Sequence, residues 1–188
     1  MPWSRIDVVL WAILAVVWVA AAPFSRKTVR SETFASRARY IVPALLFSAL
    51  WSRRLLDVPW LDARWLPDAP WVGALSVAIT ASGVAFTLWA RFTLGKNWSG
   101  TVTVKQDHEL VRHGPYGITR HPIYTGGVIA LTGTVLALGT ARTALIVPFA
   151  IGMLWSKMRV EERFMSEEFG DAYADYRRRV KMLIPFLW

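Results

Sequence analysis

The sequence contains no cysteine, which excludes disulfide bonds, thiolate catalysis and metal sites with cysteine ligands. Charged residues are also scarce, at 19% of 188 residues against about 25% in a typical soluble domain. Four motifs are absent: G-x-G-x-x-G after a strand, G-x-x-x-x-G-K-[ST], H-E-x-x-H and G-x-S-x-G. A nucleotide-like ligand would therefore need a different kind of pocket.

Long apolar segments are what the sequence has instead. Apolar residues make up 54% of the chain and include 11 tryptophans, and the mean hydropathy is +0.34. They form blocks that approach the roughly 20 helical residues needed to span a bilayer. The pattern predicts an all-α integral membrane protein with about five transmembrane helices, at residues 8–24, 40–56, 70–94, 122–139 and 141–158.

Both ends of this helix set carry further signals. The first segment resembles a signal peptide with a possible cleavage site at residues 20–22. However, the positive charge of Arg5 is nearly offset by Asp7, and Pro23 would directly follow the cleavage site. We therefore expect a retained first helix. Thr140 and its neighbours alone separate the last two segments, which predicts a tight antiparallel hairpin.

Lysine and arginine are distributed unevenly over the predicted loops. With five spans, residues 25–39, residues 95–121 and the C-terminal end from Lys157 onward share one side and carry 5, 4 and 7 of them, against 5 on the other side. Because these residues collect on the cytoplasmic side, the N-terminus is predicted outside and the C-terminus inside. The net charge of +9 lies in these gaps and can face anionic membrane lipids. No basic stripe of the kind that binds nucleic acid is present.

The tail changes character after the fifth segment. Apolar residues recur at helical spacing among charges over residues 159–181, which predicts a cytoplasmic amphipathic helix. Gly170 predicts a bend in this helix, and Pro185 closes it. The whole chain, 1–188, is predicted to be a single domain whose residues 1–93 hold three membrane helices.

A polar run at residues 105–124, KQDHELVRHGPYGITRHPIY, holds all three histidines. Their spacing, with Pro115 between the last two and Pro122 directly after His121, does not place them on one helical face, so no metal site is expected. Pro122 suits the first turn of a helix, which places Arg120 and His121 at its N-terminus. Unpaired N–H groups and the helix dipole there favour an anionic group.

Two acidic residues complement this loop. Glu161 and Glu162 follow the fifth span, which pairs with the fourth, so they should lie near Arg120 and His121. Neighbouring helical residues point about 100° apart, so one glutamate is expected to face a pocket. The alternative is a solvated charge pair with Arg159 and Arg163.

Three residues near the end of the third segment have two interpretations each. Arg91 either reaches the headgroups from the helix end or meets a substrate anion inside the membrane boundary. Asn97 and Trp98 are either interfacial anchors or the wall of a substrate opening.

Several short motifs occur in a fixed order. They are LGKNWS at 94–99, H-x-L-V-x-x-G-P-Y at 108–116, R-H-P-x-Y-x-G at 120–126, Glu161-Glu162, F-G-x-x-Y-x-x-Y at 169–176 and V-x-x-x-x-P at 180–185. This ordered set resembles the isoprenylcysteine carboxyl methyltransferase family, within the wider group that includes phospholipid N-methyltransferases. The resemblance covers half the chain, and the first 90 residues match no substrate-recognition element of that family.

The resemblance implies S-adenosylmethionine as methyl donor, with S-adenosylhomocysteine as product. It places the cofactor on the cytoplasmic side, in the half formed by residues 94–188. The residues implied to line the cofactor pocket are His108, Leu110, Val111, Gly114 and Tyr116. Those implied to hold the amino-acid end of the cofactor are Arg120, His121, Tyr124, and Glu161 or Glu162.

The implied reaction is methyl transfer to a carboxylate, or another nucleophile, of a prenylated or lipid-like small molecule. Arg91 or Arg159 would orient the carboxylate, and Glu161 completes the predicted catalytic set. Two alternatives are a membrane reductase that uses a reduced nicotinamide cofactor, as sterol reductases do, and a non-catalytic membrane protein that binds a ligand.

Overall fold

A computed structural model describes residues 2–51, 57–99, 103–105 and 109–184 of the chain. These residues form seven α-helices and two short strands, besides three short 3-10 turns. In chain order they are α1 (Pro2–Ala21), β1 (Thr28–Ser31), α2 (Phe34–Trp51), α3 (Pro59–Asp62), α4 (Pro70–Leu94), β2 (Thr103–Lys105), α5 (Pro122–Leu138), α6 (Ala141–Ala144) and α7 (Ile146–Arg179).

Three helical stretches of the described residues are long and apolar enough to cross a membrane. They are Arg5–Phe24, Pro70–Asn97 and Ala141–Arg179, and Pro122–Leu138 is a shorter apolar helix. Large apolar side chains on these helices point outward, with Val19 75% exposed and Phe92 62% exposed. Such exposure is typical of helices that face lipid.

Helices α4 and α5 pack through small residues. A Cβ added at Gly83 would lie 2.3 Å from the backbone nitrogen of Ala130, and one added at Gly126 would lie 2.3 Å from the Thr87 hydroxyl. Close backbone approach through glycine is a common way for membrane helices to associate. This rigid pair forms the base on which the loop before α5 is built.

The predicted segments 70–94 and 122–139 match α4 and α5, because proline at the start and glycine after the end mark both helices. Helices α1 and α2 begin earlier than predicted, at Pro2 and Phe34. Residues 52–56, the end of the second predicted segment, lie outside the described residues. The five-span topology and its orientation stay predictions.

The fifth segment and the C-terminal helix, predicted as separate elements, form one long helix. Thr140 caps α6 through a reciprocal capping box with Thr143, and α7 then runs from Ile146 to Arg179. The backbone of Gly170 has φ 50° and ψ −124°, so the helix bends there as predicted. A left-handed φ favours glycine because it has no Cβ.

A two-stranded antiparallel sheet joins two segments that the sequence placed in loops. Thr28 pairs with Lys105 and Ser31 with Thr103. Arg30 continues the connection to α7, since it forms an ion pair with Glu167 at 2.8 Å and stacks on the ring of Phe164 at 4.7 Å. Residues 28–31 and the loop after α4 are thereby tied to α7.

Candidate active site

A cavity of about 160 Å³ lies where the end of α4, residues 109–124 and α7 meet. Nine residues singled out from the sequence line it: Asn97, Trp98, Leu110, Val111, Tyr116, Arg120, His121, Tyr124 and Glu161. They come from segments up to about 60 residues apart in the chain. The structure therefore brings most of the predicted site into one place.

The loop before α5 supplies the apolar part of the wall. Leu110 and Val111 line the cavity beside the buried ring of Tyr116, whose backbone carbonyl accepts a hydrogen bond from the Tyr176 hydroxyl at 2.6 Å. Burial raises the pKa of the Tyr116 phenol, which keeps it neutral. Gly114 starts the turn Gly114–Gly117 with φ 59° and is not among the described residues that line the cavity. His108 lies outside the described residues.

The two glutamates point to different sides of α7. Glu162 is 4% exposed and lies 2.7 Å from Arg120 Nε and 2.6 Å from Arg120 Nη2. Arg177 Nε is 3.5 Å from its other oxygen. Glu161 instead lines the cavity and accepts a hydrogen bond from the Tyr124 hydroxyl at 2.9 Å. Glu161 is therefore the pocket-facing residue of the pair, and the interpretation of a solvated charge pair is wrong.

The segment at residues 180–183, here called the C-terminal clamp, accepts hydrogen bonds from the backbone amides that were expected to be unpaired. The backbone N–H of Arg120 donates to Lys181 O at 2.8 Å, and that of His121 donates to Met182 O at 3.1 Å. The expectation of free amides at these two residues is wrong, because the chain returns after α7 to pair with them.

Further hydrogen bonds hold the clamp in place. The Thr119 and Thr125 hydroxyls donate to Met182 O and Leu183 O, each at 2.7 Å. The Arg120 guanidinium also donates to the carbonyl of Val180. Arg120 is thus committed to contacts within the protein although it borders the cavity.

His121 combines burial with an unused nitrogen. Its side chain is 4% exposed, and its ring stacks on Tyr124 at 5.6 Å between centroids. Nδ1 lies 3.8 Å from Glu161 Oε2, whereas Nε2 has no hydrogen-bond partner, with Glu162 Oε1 3.5 Å away. A buried polar nitrogen without a partner is costly unless something else binds it.

The two arginines predicted to orient a carboxylate lie outside the described lining of the cavity. Arg91 is 3% exposed and donates to Ala21 O at 2.9 Å and Gly95 O at 3.0 Å. It lies 4.4 Å from the ring of Trp98 and so supports that wall, which makes the headgroup-reaching interpretation wrong. Arg159 is exposed beside the ring of Trp155. Direct contact of either arginine with substrate stays a prediction.

Asn97 and Trp98 both form part of the wall. The Asn97 side-chain oxygen accepts a hydrogen bond from Arg26 at 3.2 Å. Trp98 packs edge-on against Trp18 of α1, with 5.5 Å between ring centroids. Both residues therefore line the cavity, whereas their contact with a substrate stays a prediction.

Sequence reasoning missed several cavity residues. Tyr173 and Tyr176 line the cavity, and both stand in the F-G-x-x-Y-x-x-Y motif that carried no assigned role. Lys157 also lines it, and its position one helical turn before Glu161 was the available signal. Trp18 had no such signal, because only the packing of α1 against Trp98 brings it here.

Apolar, outward-facing helices with a polar, aromatic-lined cavity between them are typical of an integral membrane protein. Residues 71–172 match the family model described as Phospholipid methyltransferase. The match covers more than half of the chain, so the chain belongs to the phospholipid methyltransferase family.

The relatives agree with this assignment. Protein-S-isoprenylcysteine O-methyltransferase B of Arabidopsis thaliana is 25% identical over 154 residues, which cover 80% of this chain and 76% of that protein. The Saccharomyces cerevisiae Protein-S-isoprenylcysteine O-methyltransferase is 36% identical over 101 residues, or 52% and 42% of the two chains. Cobalt-zinc-cadmium resistance protein CzcN of Cupriavidus metallidurans is 28% identical over 131 residues, or 66% and 55%.

A solved structure has the same fold. It is that of the eukaryotic intramembrane Ras methyltransferase ICMT (isoprenylcysteine carboxyl methyltransferase), with a TM-score of 0.56 and 26% identity. The match covers 79% of this chain and 53% of that one, so the chain spans about half the length of the solved structure. The predicted family and the predicted membrane methyltransferase class are confirmed.

Proposed function

We propose that the chain catalyses S-adenosylmethionine-dependent methyl transfer to the carboxylate of a prenylated or lipid-like molecule, at the cytoplasmic face of the membrane. The observation that carries the proposal is the placement of Glu161 beside His121 and Tyr124 in a cavity that aromatic rings and polar side chains line together. The family match favours this reaction over the reductase alternative.

The cavity residues fit the amino-acid end of the cofactor. The Glu161 carboxylate suits the ammonium group, and the His121 ring lines the cavity beside it. The rings of Trp98, Tyr116 and Tyr173 suit a sulfonium cation or an adenine. A volume of about 160 Å³ is below the 300–1,000 Å³ of pockets for drug-sized ligands, so the cavity accounts for one end of the cofactor.

The reaction needs little acid–base chemistry from the protein. When bound, S-adenosylmethionine supplies an electrophilic methyl group that passes to a carboxylate oxygen while the carbon–sulfur bonding electrons stay on sulfur. A carboxylate is already a nucleophile at neutral pH, so no side chain has to remove a proton. The residues of this chain act by aligning the reacting groups and by excluding water.

The loading of the site also follows from the proposed topology. With five spans and the basic loops inside, the cavity opens to the cytosol, where a soluble cofactor is available. A lipid-like acceptor would enter sideways between helices, since its chain is already dissolved in the bilayer. The acceptor and the cofactor would thus reach the site from different phases.

Calorimetry of the purified protein with S-adenosylhomocysteine tests the cofactor site. We expect Glu161→Gln to weaken binding roughly 10- to 100-fold, as expected for a lost hydrogen bond to a charged group. Glu168→Gln is the matched control, because Glu168 is an exposed residue on the same helix. Absence of binding to the unaltered protein at high micromolar ligand contradicts the proposal.

Transfer of a radiolabelled methyl group into total membrane lipid tests the reaction itself. We expect label in a base-labile ester, since a carboxylate acceptor gives a methyl ester. Binding of S-adenosylhomocysteine without any transfer would instead favour the non-catalytic alternative.

A further inference from the structure

One face of α1 carries side chains that point toward the rest of the protein. Successive helical residues lie about 100° apart, so spacings of four, four and seven residues keep side chains within about 80° of one another. The residues with this spacing are Trp3, Asp7, Trp11 and Trp18. Three of them are aromatic, and Asp7 is the acidic residue of α1. The helix therefore presents one carboxyl group to the helices on which it packs.

The same face joins α1 to the candidate active site. The Trp11 indole N–H donates to the Thr134 hydroxyl of α5 at 2.9 Å. Two turns further along, Trp18 packs against Trp98, and both rings line the cavity. The placement of α1 against α4 and α5 therefore sets the position of one wall of the cavity.

Asp7 is buried in this interface without a charged partner. It is 3% exposed, and neither carboxylate oxygen has a hydrogen-bond partner among the described residues. Arg5 is exposed and points about 160° away around α1. Helix α5 contains no charged residue. Arg91 of α4 lies near the C-terminal end of that helix and donates to Ala21 O and Gly95 O. An ionised carboxylate in the place of Asp7 would be strongly unfavourable.

Thr80 of α4 is the polar residue beside Asp7. Its side chain is fully buried, and its hydroxyl donates its one proton to Ala130 O of α5 at 3.4 Å. The hydroxyl oxygen can still accept a hydrogen bond. A proton on Asp7 would be donated to Thr80 Oγ1 and would complete a chain of hydrogen bonds from α1 through α4 to α5. One added proton thus gives the buried carboxyl group a partner and links three helices.

The packing around Thr80 leaves little space for a hydrated cation. A Cβ added at Gly133 of α5 would lie 2.5 Å from Thr80 Oγ1 and 2.6 Å from Ser76 O. The Ser76 hydroxyl, one turn before Thr80, already donates to Gly73 O at 2.8 Å. Within the described ranges of the chain, no three acidic or histidine side chains come together in a way that could hold a metal ion. A proton is therefore the cation that fits this place.

We propose that Asp7 is a protonated carboxylic acid in the folded protein, and that its hydrogen bond to Thr80 holds α1, and with it Trp18, in place against the candidate active site. Asp7 is a positioning residue in this scheme, because it acts on the cavity through α1. It lies outside residues 71–172, which match the family model. The effect on cofactor binding rests on the proposed function, whereas the protonation of Asp7 does not.

Infrared spectroscopy of the full chain in lipid nanodiscs tests the protonation directly. At neutral pH, the spectrum of the unaltered protein minus that of Asp7→Asn should contain the C=O band of a protonated carboxylic acid. The band should shift when the aspartate carboxyl groups are labelled with heavy carbon. Asp68→Asn is the control, because Asp68 is exposed just before α4, and this variant should keep the band. A difference spectrum that contains only carboxylate bands overturns the inference.

Two substitutions of similar shape test the positioning role. In Asp7→Asn the side-chain amide can still donate to Thr80, so the fluorine NMR resonance of a fluorotryptophan at residue 18 should stay in place. Asp7→Leu has no donor, so the same resonance should shift or broaden. The resonance is assigned by its absence from Trp18→Phe. Affinity for S-adenosylhomocysteine should fall about 2- to 10-fold in Asp7→Leu, as for one lost neutral hydrogen bond, and stay within about twofold in Asp7→Asn.

These measurements separate the inference from the proposed function. A Trp18 resonance that stays unmoved in folded Asp7→Leu, or that moves as far in Asp7→Asn, contradicts the positioning role. If Asp7→Leu does not fold, the infrared band and the resonance of Asp7→Asn decide. If both behave as expected while the unaltered protein binds no S-adenosylhomocysteine, the proposed function fails and the role of Asp7 in seating α1 stands.

Discussion

Glu161 and Glu162 are neighbours in sequence with opposite surroundings. Glu162 is enclosed by Arg120, His121 and Arg177, and its charge is balanced inside the protein. Glu161 has a side chain that is 34% exposed to the cavity and one phenolic donor, Tyr124. The comparison teaches that one glutamate holds the loop before α5 in place and the other is left for a ligand.

Arg120→Ala, on the Glu162 side, should lower the stability of the protein more than the other variants do. It leaves a buried carboxylate without its main partner, which costs about 3–5 kcal/mol of stability. For a chain of this size the Tm should fall by roughly 6–20 °C in detergent, followed by tryptophan fluorescence. Arg112→Ala, at an exposed position in the same loop, should change the Tm little.

The double variant Arg120→Met with Glu162→Leu sharpens this prediction. Because both charges are removed, much of the lost stability should return. If the Tm of Arg120→Ala stayed within 2 °C of that of the unaltered protein, the buried Glu162 carboxylate would not need Arg120 as a partner. The contrast drawn between Glu162 and Glu161 would then be wrong.

Thr125→Val should have an intermediate effect on the same side. It removes the 2.7 Å hydrogen bond that the Thr125 hydroxyl donates to Leu183 O. Loss of this donor should lower the stability of the protein by about 1–3 kcal/mol. Trypsin should then cut faster after the exposed Lys181, as measured by mass spectrometry. Thr132→Val is the control, since the Thr132 hydroxyl bonds within its own helix at 2.8 Å.

Tyr124→Phe should have the smallest effect, on the Glu161 side. It removes one hydroxyl but keeps the ring that stacks on His121. Affinity for S-adenosylhomocysteine should change about 2- to 10-fold by calorimetry. Tyr176→Phe should instead lower the Tm, because its hydroxyl holds the backbone of Tyr116. If Tyr124→Phe lowered the Tm and Tyr176→Phe changed only the affinity, the surroundings of Glu161 and Glu162 would not have distinct roles.

Local signals in the sequence account for the parts that were predicted well. Pro70 and Gly95 bound α4, and Pro122 and Gly139 bound α5, because proline and glycine act on the backbone nearest to them. The divergence of Glu161 and Glu162 also follows from helix geometry alone.

Long-range pairing accounts for the parts that were not predicted. The clamp joins Arg120 to Lys181, and β1 joins residues near 30 to residues near 104. Such contacts depend on how whole helices pack, which no short window of sequence contains. The position of Lys157 in the lining of two cavities was missed for the same reason, since α2 has to approach α7 before the cavity between them exists.

The C-terminal clamp also sets the order in which the protein can be made. Residues 119–125 leave the ribosome about 60 residues before the carbonyls that hold them, so the loop must wait through the synthesis of α5, α6 and α7. During that interval the membrane helices can insert while the site is still open. The clamp can therefore form only after α7 has been made, and a chain interrupted before Lys181 would lack the carbonyls that hold residues 119–125.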